Sequence, residues 1–106
     1  FRATNTQDTD VESSSFQISL LCPLGLWRMA VPVRGKDCLH LACFDLSAYL
    51  KFEREAGDWK CPICGRSVPL VDLRVDEVTL RAVRETSRDV EHIFVSEDGR
   101  FSIEKP

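Results

Sequence analysis

The sequence predicts a small α+β fold in which a domain with a single zinc site is continued by a helix and a β-hairpin. The chain has 106 residues, 43% of them hydrophobic, and domains of this size often depend on a metal or on disulfides for stability. Its cysteines and one histidine follow the spacing C-x15-C-x-H-x2-C-x17-C-x2-C. The pattern of a capped amphipathic helix lies between the Cys-x-His pair and the last two cysteines. Because metal-binding side chains occur both before and after this helix in the sequence, we expect them to bind one shared ion.

Charge and hydropathy favour protein partners. The formal net charge of −3 argues against nucleic-acid binding by this fragment, because dedicated nucleic-acid modules are more often basic. The sequence contains no run of about 18 or more apolar residues, so we expect no membrane span. The polar N-terminus lacks a signal-peptide pattern, and a chain that starts with Phe1 is expected to be an excised fragment.

The N-terminal part predicts a tail and two strands. Residues 1–15 are polar and rich in Ser and Thr, so we expect a flexible tail. The apolar residues of 16–20 alternate with polar ones, which predicts a strand. Residues 27–33 alternate as well, with Trp27 on the apolar face, and Pro32 predicts that this strand is broken or lies at a sheet edge.

The middle of the chain predicts a helix with both ends marked. Asp45 is a typical N-cap residue and Gly57 a typical C-terminal stop, which together predict a helix over residues 46–56. Residues 68–75 follow the last cysteine pair and predict a strand.

The C-terminal part predicts a second helix and a β-hairpin. Asp76 is placed to cap the helix, with Leu80 and Val83 on its buried face. Residues 91–95 and 101–103 flank an Asp-Gly turn, a hairpin signal. We therefore divide the chain into a flexible tail (1–15), a zinc domain (16–75) and a C-terminal extension (76–106).

Four side chains form the predicted metal site. Cys61 and Cys64 are two residues apart, so both sulfurs can face one ion, and Cys38 and His40 can point the same way along an extended segment. Three thiolates and one neutral imidazole are a normal closed set for one structural zinc ion. The alternatives are buried thiols, a redox pair, or a secreted disulfide framework, which usually has an even number of cysteines.

Cys22 and Cys43 are left outside this set. A full RING domain fills two metal sites with paired ligands, and here the partners of Cys22 and Cys43 would be Gly25 and Leu46. Neither of these can bind a metal, and two thiols alone bind zinc poorly. We therefore expect Cys22 and Cys43 to be core sulfurs or hydrogen-bonded thiols.

Three cysteine-containing segments carry a family resemblance: residues 31–50 (VPVRGKDCLHLACFDLSAYL), 57–64 (GDWKCPIC) and the Cys-Pro-Leu of 22–24. Together they resemble the SP-RING (MIZ-type zinc finger) of the Siz/PIAS family of SUMO ligases. Residues 76–106 resemble the C-terminal extension of Siz-type ligases, chiefly in their EDGRF turn. The resemblance implies a RING-like fold with a single zinc site and a location in the nucleus.

The resemblance also implies SUMO-protein ligase activity without a catalytic nucleophile on this chain. Such a module binds the SUMO-conjugating enzyme and promotes transfer of SUMO from that enzyme's thioester to lysines of substrate proteins. By their positions, the residues expected to contact the conjugating enzyme in one shallow apolar patch are Leu24, Leu50, Pro62 and Ile63. A core position explains the pattern at Leu50 equally well.

Residues 93–98 resemble a SUMO-interacting motif, which is a short apolar strand followed by acids. The possible contacts with SUMO are Ile93, Phe94, Val95, Glu97 and Asp98. A plain hairpin strand explains the same pattern. The rival interpretation of the whole chain is a non-catalytic zinc-binding module that reads chromatin or peptides, which would need an aromatic cage or an acidic groove.

Overall fold

The computed structural model describes residues 15–104, which form two α-helices, one short 3-10 helix and two three-stranded sheets. The strands are β1 (Phe16–Ser19), β2 (Pro32–Gly35), β3 (Phe44–Asp45), β4 (Leu73–Val75), β5 (His92–Val95) and β6 (Phe101–Ser102). The helices are α1 (Leu46–Ala56) and α2 (Glu77–Glu85), and the 3-10 helix is Leu70–Asp72. The predicted α+β class is confirmed, while the predicted tail lies outside the described residues except for Ser15.

The first sheet has the strand order β3-β2-β4, with antiparallel neighbours. The prediction of an edge strand is wrong, because β2 is the central strand, whereas the alternative of a broken strand holds, because regular pairing begins only at Pro32. Pro32 is tolerated there as the first residue of the strand, and its carbonyl accepts a hydrogen bond from the Asp76 N–H at 3.1 Å. The strand is also shorter than predicted, since it begins at Pro32 and Trp27 is 56% exposed.

Helix α1 begins and ends where the sequence predicts. The Asp45 carboxylate accepts a hydrogen bond from the backbone N–H of Ala48 at 3.2 Å. Gly57 ends the helix with a φ of 75°, a left-handed conformation that glycine adopts without steric cost. The buried residues of the helix are Ala48, Tyr49 and Glu53.

The predicted strand over residues 68–75 is extended only at its end. Pro69 precedes the 3-10 helix, and its carbonyl accepts a hydrogen bond from the Asp72 N–H at 2.8 Å. Because proline suits a tight turn and cannot donate to a ladder of strand hydrogen bonds, regular pairing starts only at β4.

Helix α2 and the hairpin after it form as predicted. The Asp76 carboxylate accepts a hydrogen bond from the Thr79 N–H at 3.0 Å and caps α2. The fully buried residues of this helix are Thr79 and Ala82, whereas the predicted Leu80 and Val83 are half-buried. The buried face of α2 therefore carries small side chains, and it is offset by one residue from the predicted face of Leu80 and Val83.

The second sheet, of strand order β1-β5-β6, joins the two ends of the described chain. Strand β1 pairs with β5 in an antiparallel register that places Ile18 opposite Ile93. The predicted boundary between the zinc domain and the extension, at residues 75 and 76, stays a prediction. Strand β1 lies before this boundary in the chain, and its partner β5 lies after it.

Two clusters of buried side chains form the core. The first packs around α1 and consists of Cys22, Met29, Val33, Cys43, Phe44, Ala48, Tyr49, Cys61 and Val68. The second joins α2 to the second sheet and consists of Ile18, Leu20, Ala82 and Ile93. Within residues 15–104, neither helix has the length and apolar character that a membrane span requires.

Candidate metal centre

The four predicted metal ligands lie together. The sulfurs of Cys38, Cys61 and Cys64 and a ring nitrogen of His40 are all within 4.8 Å of one another. The sulfurs of Cys38 and Cys64 are 3.7 Å apart, and Nε2 of His40 is 3.2 Å from Sγ of Cys61. Tetrahedral zinc, with bonds of about 2.0–2.3 Å, separates its ligand atoms by about 3.5–3.8 Å. The cluster therefore fits one zinc ion, as predicted.

The Cys61–Cys64 half of the centre is a tight hairpin loop. The Cys61 N–H donates to the Arg66 carbonyl at 2.8 Å, and the Gly65 N–H donates to the Cys61 carbonyl at 2.9 Å. The Ile63 N–H donates to Sγ of Cys61 at 3.4 Å. A hydrogen bond from the Arg66 backbone lowers the pKa of the Cys64 thiol. The bond to Cys64 favours its thiolate, which is the form that binds zinc.

The Cys38–His40 half is held by backbone contacts. Nδ1 of His40 donates to the Ala42 carbonyl at 2.8 Å, which selects the tautomer whose Nε2 is free to bind a metal. A Cβ atom at Gly35 would lie 3.0 Å from the Cys38 sulfur and 2.7 Å from a methyl of Val68, so only glycine fits there. Burial raises the pKa of the Cys38 thiol to about 11, and metal binding must therefore displace this proton.

The loop at Cys22, called here the first loop, has the shape of a zinc loop but not its ligands. The Cys22 N–H donates to the Trp27 carbonyl at 2.7 Å and the Leu26 N–H donates to the Cys22 carbonyl at 2.6 Å, at the same chain offsets as in the loop at Cys61. Leu26 has a φ of 61° where Gly65 has 79°. A left-handed leucine costs about 1–2 kcal/mol, so the surrounding structure must hold this loop in place.

The two cysteines outside the metal cluster are held by hydrogen bonds. Cys22 and Cys43 are both buried, as expected. The Asp45 N–H donates to Sγ of Cys22 at 3.2 Å, and the Arg34 guanidinium lies 3.6 Å from Sγ of Cys43. Burial raises the pKa of the Cys43 thiol. A buried, protonated thiol is a poor nucleophile and a poor metal ligand.

Two buried carboxylates organise the backbone around the centre in ways that the sequence pattern did not indicate. Besides capping α1, Oδ1 of Asp45 accepts hydrogen bonds from the N–H groups of Ala30 at 2.8 Å and Val31 at 3.1 Å. The Glu53 carboxylate accepts from the N–H of Trp59, which has a left-handed φ of 54° just before the zinc loop. The only sequence signal was an acidic residue on the apolar face of α1.

The predicted docking residues are divided between different parts of the surface. A groove of about 530 Å³ is lined by Leu24, Trp27, Ala48, Lys51, Phe52, Glu55 and Ala56. Leu50 lines a separate groove, because it lies about half a turn around α1 from Phe52. Pro62 and Ile63 are exposed on the zinc loop. Leu24 and Leu50 thus do not share one groove, and the part that each plays in binding stays a prediction.

The predicted SUMO contacts lie on β5 and in the turn after it. Strand β5 is the central strand of its sheet, paired with β1 along its whole length and with β6 at Phe94 and Val95, so little of its edge is left for a partner strand. Ile93 is fully buried, Phe94 and Val95 are half-buried, and Glu97 and Asp98 are exposed. The geometry of this segment is that of a hairpin strand, and its contact with SUMO stays a prediction.

Comparisons with known proteins agree with the metal centre. The family model described as the MIZ/SP-RING zinc finger matches residues 18–67. The chain is 34% identical over 94% of its length to the E4 SUMO-protein ligase PIAL1 of Arabidopsis thaliana, and 34% identical over 99% to the E3 SUMO-protein ligase PIAS3 of Homo sapiens. It spans only 12% and 17% of the lengths of these two relatives.

Two solved structures from S. cerevisiae have a similar fold. The SUMO E3 ligase SIZ2 matches with a TM-score of 0.78 and 31% identity, over 83% of this chain and 34% of that one. SIZ1 matches with a TM-score of 0.79 and 29% identity, over 85% of this chain and 32% of that one. Residues 1–75 make up less of this chain than the 83% and 85% that the two matches cover. The likeness therefore extends into residues 76–106. With the zinc centre, the family model and the fold in agreement, the chain carries an SP-RING zinc finger and belongs to the Siz/PIAS family.

Proposed function

We propose that this chain is a SUMO-protein ligase module, which binds a SUMO-conjugating enzyme and promotes transfer of SUMO from its thioester to lysines of substrate proteins. The observation that carries the proposal is that the likeness to SUMO ligases spans 94% of the chain or more, and so includes the extension as well as the zinc domain. The conjugating enzyme, SUMO and the substrate proteins are the partners in this proposal, and the nucleus is its proposed location.

The proposed mechanism needs no nucleophile on the chain. Three of the five cysteines belong to the metal cluster, and Cys22 and Cys43 are buried. Zinc bound by four protein ligands has no open position, so it would supply structural stability rather than Lewis acidity. The chain would instead accelerate the reaction by holding the charged conjugating enzyme in a geometry that a lysine can attack.

The proposed docking surface for the conjugating enzyme comprises Leu24 on the first loop and Pro62 and Ile63 on the zinc loop. Leu24 packs against the same buried cluster that contains Cys61, so one core supports both loops. The groove beside Leu24 adds an exposed tryptophan and an exposed phenylalanine, and large aromatic side chains often dominate binding energy at interfaces. Leu50 belongs to a separate groove and needs a test of its own.

A non-catalytic reader of peptides or chromatin is the second candidate function. Trp27 is 56% exposed and Phe52 is 54% exposed, and both line the groove beside Leu24. Two neighbouring aromatic side chains could bind an apolar or cationic peptide side chain without any effect on SUMO.

Reconstituted SUMO conjugation separates the two candidates. The zinc-loaded chain is added to a SUMO-charged conjugating enzyme, and loss of the thioester to a lysine acceptor is followed with time. We expect the chain to speed this discharge, Leu24→Ala to weaken the effect, and Leu70→Ala to leave it intact as a control at an exposed leucine of the 3-10 helix. A folded, zinc-loaded chain that does not change the discharge rate would contradict ligase function and would favour the non-catalytic reader of peptides or chromatin.

A further inference from the structure

The side chain of Arg28 joins the first loop to the C-terminal extension. Its guanidinium donates hydrogen bonds to four backbone carbonyls and one hydroxyl at the end of α2 and in the turn that follows. The acceptors are the carbonyls of Val83 (3.0 Å), Thr86 (3.2 Å), Ser87 (2.5 Å) and Val90 (2.6 Å) and the hydroxyl of Thr86 (2.7 Å). All of these acceptors belong to the extension, so Arg28 is a clamp between two parts of the chain.

The end of α2 explains why a clamp forms there. Helix α1 ends at a left-handed glycine, whereas the C-cap of α2 is Thr86 with a φ of −107°. Without a left-handed residue, the last carbonyls of a helix need other donors. A guanidinium suits this position because it offers a planar fork of donors and its positive charge complements the helix dipole.

The backbone of Arg28 belongs to the hairpin that presents Leu24. Arg28 forms a β-bridge with Leu21 at the base of the first loop. The Met29 N–H donates to the Leu20 carbonyl at 2.9 Å, and the Leu20 N–H donates to the Glu91 carbonyl at 2.8 Å, which ties the same hairpin to the chain just before β5. Arg28 therefore links the base of the first loop to the end of α2 through a charged, multiply bonded contact.

We propose that Arg28 is a positioning residue, which sets the orientation of the extension relative to the loop that docks the conjugating enzyme. This inference rests on the proposed function. The proposal places a conjugating enzyme on the first loop and its SUMO against the extension, at the predicted contact segment 93–98, and the Arg28 clamp fixes the angle between the two. A misplacement of about 1 Å can slow a positioned reaction by on the order of 10²-fold. Lysine would keep the charge of Arg28 but not its fork of donors.

The test compares Arg28→Gln and Arg28→Lys with the wild-type chain and with Arg84→Gln, which removes an exposed arginine from the last turn of the same helix. Four quantities are measured: zinc content by native mass spectrometry, affinity for the uncharged conjugating enzyme, the SUMO discharge rate at saturating chain, and amide hydrogen exchange over residues 83–90. For Arg28→Gln we expect unchanged zinc content, affinity within about twofold, discharge slower by about tenfold or more and faster exchange. Arg28→Lys should be intermediate and Arg84→Gln unchanged.

Two results would overturn the inference. A discharge rate that matches the wild type in both Arg28 variants would show that the clamp does not position SUMO. A parallel loss of zinc, affinity and discharge in both would make Arg28 a residue of general stability. Failure of the proposed function is recognised separately, because the wild-type chain would then not accelerate discharge at all, and the inference would fall with it.

Discussion

Replacement of Asp45 by alanine tests whether its buried carboxylate ties the segment after the first loop to the start of α1. The Asp45 carboxylate is 4% exposed, and it accepts hydrogen bonds from the N–H groups of Ala30, Val31 and Ala48 at 2.8, 3.1 and 3.2 Å. Loss of the helix cap costs about 1 kcal/mol, and each further unsatisfied N–H costs about 1–3 kcal/mol. Because Ala30 is exposed and water can reach it, we expect a total loss of about 3–5 kcal/mol in the free energy of unfolding.

Urea unfolding followed by circular dichroism in excess zinc measures this loss, with Glu55→Ala as the control at an exposed acidic position of α1. A loss of this size is a large part of the stability of a small domain. Asp45→Asn should lose less than Asp45→Ala, since an amide oxygen remains as an acceptor. A loss of about 1 kcal/mol or less in Asp45→Ala would refute the reasoning, because Asp45 would then be a helix cap and nothing more.

Three further experiments concern the metal, the docking surface and a buried thiol. Native mass spectrometry should find one zinc ion per chain, and Cys61→Ser should unfold the zinc domain, because structural zinc supplies much of the folding free energy of a small site; a second bound ion would contradict the ligand set. Leu24→Ala and Ile63→Ala should each weaken binding of the conjugating enzyme by about 1–2 kcal/mol with zinc retained; unchanged affinity in both would place the interface elsewhere. Alkylation of the zinc-loaded chain should spare Cys43 at neutral pH, because burial raises its pKa, and should speed up as rising pH increases the thiolate fraction; rapid modification at neutral pH would count against this environment.

The features that the sequence predicts correctly have local signals. Asp45 and Gly57 mark the ends of α1 with residue types that suit a cap and a left-handed stop. The ligand spacing requires only a short loop and a short extended segment on each side of that helix. The predicted cluster of Cys38, His40, Cys61 and Cys64 follows from these constraints.

The features that the sequence does not predict depend on residues far apart in the chain. Pro32 lies in a central strand because β4 pairs with β2 from the far side of the zinc loop. Strand β1 finds its partner in β5, and no turn signal links the two. The contacts of Arg28 reach residues 55 to 62 positions further along the chain. Hydrophobic periodicity and capping residues predict single helices and strands, and they do not determine which distant segments pair with each other.

The first loop and the zinc loop have the same backbone hydrogen bonds, but they are held by different means. At Cys61 the ligand set and Gly65 suit the turn, and zinc would fix it. At Cys22 the left-handed Leu26 opposes the turn, which is held by the bond from the Asp45 N–H to Sγ of Cys22 and by the packing of Leu24 on the buried cluster. Removal of zinc should therefore disturb the zinc loop first, whereas changes at Arg28 should loosen the contact between the first loop and the extension. The metal thus supports the zinc-loop part of the proposed docking surface, whereas the Arg28 clamp holds the extension against the loop that carries Leu24.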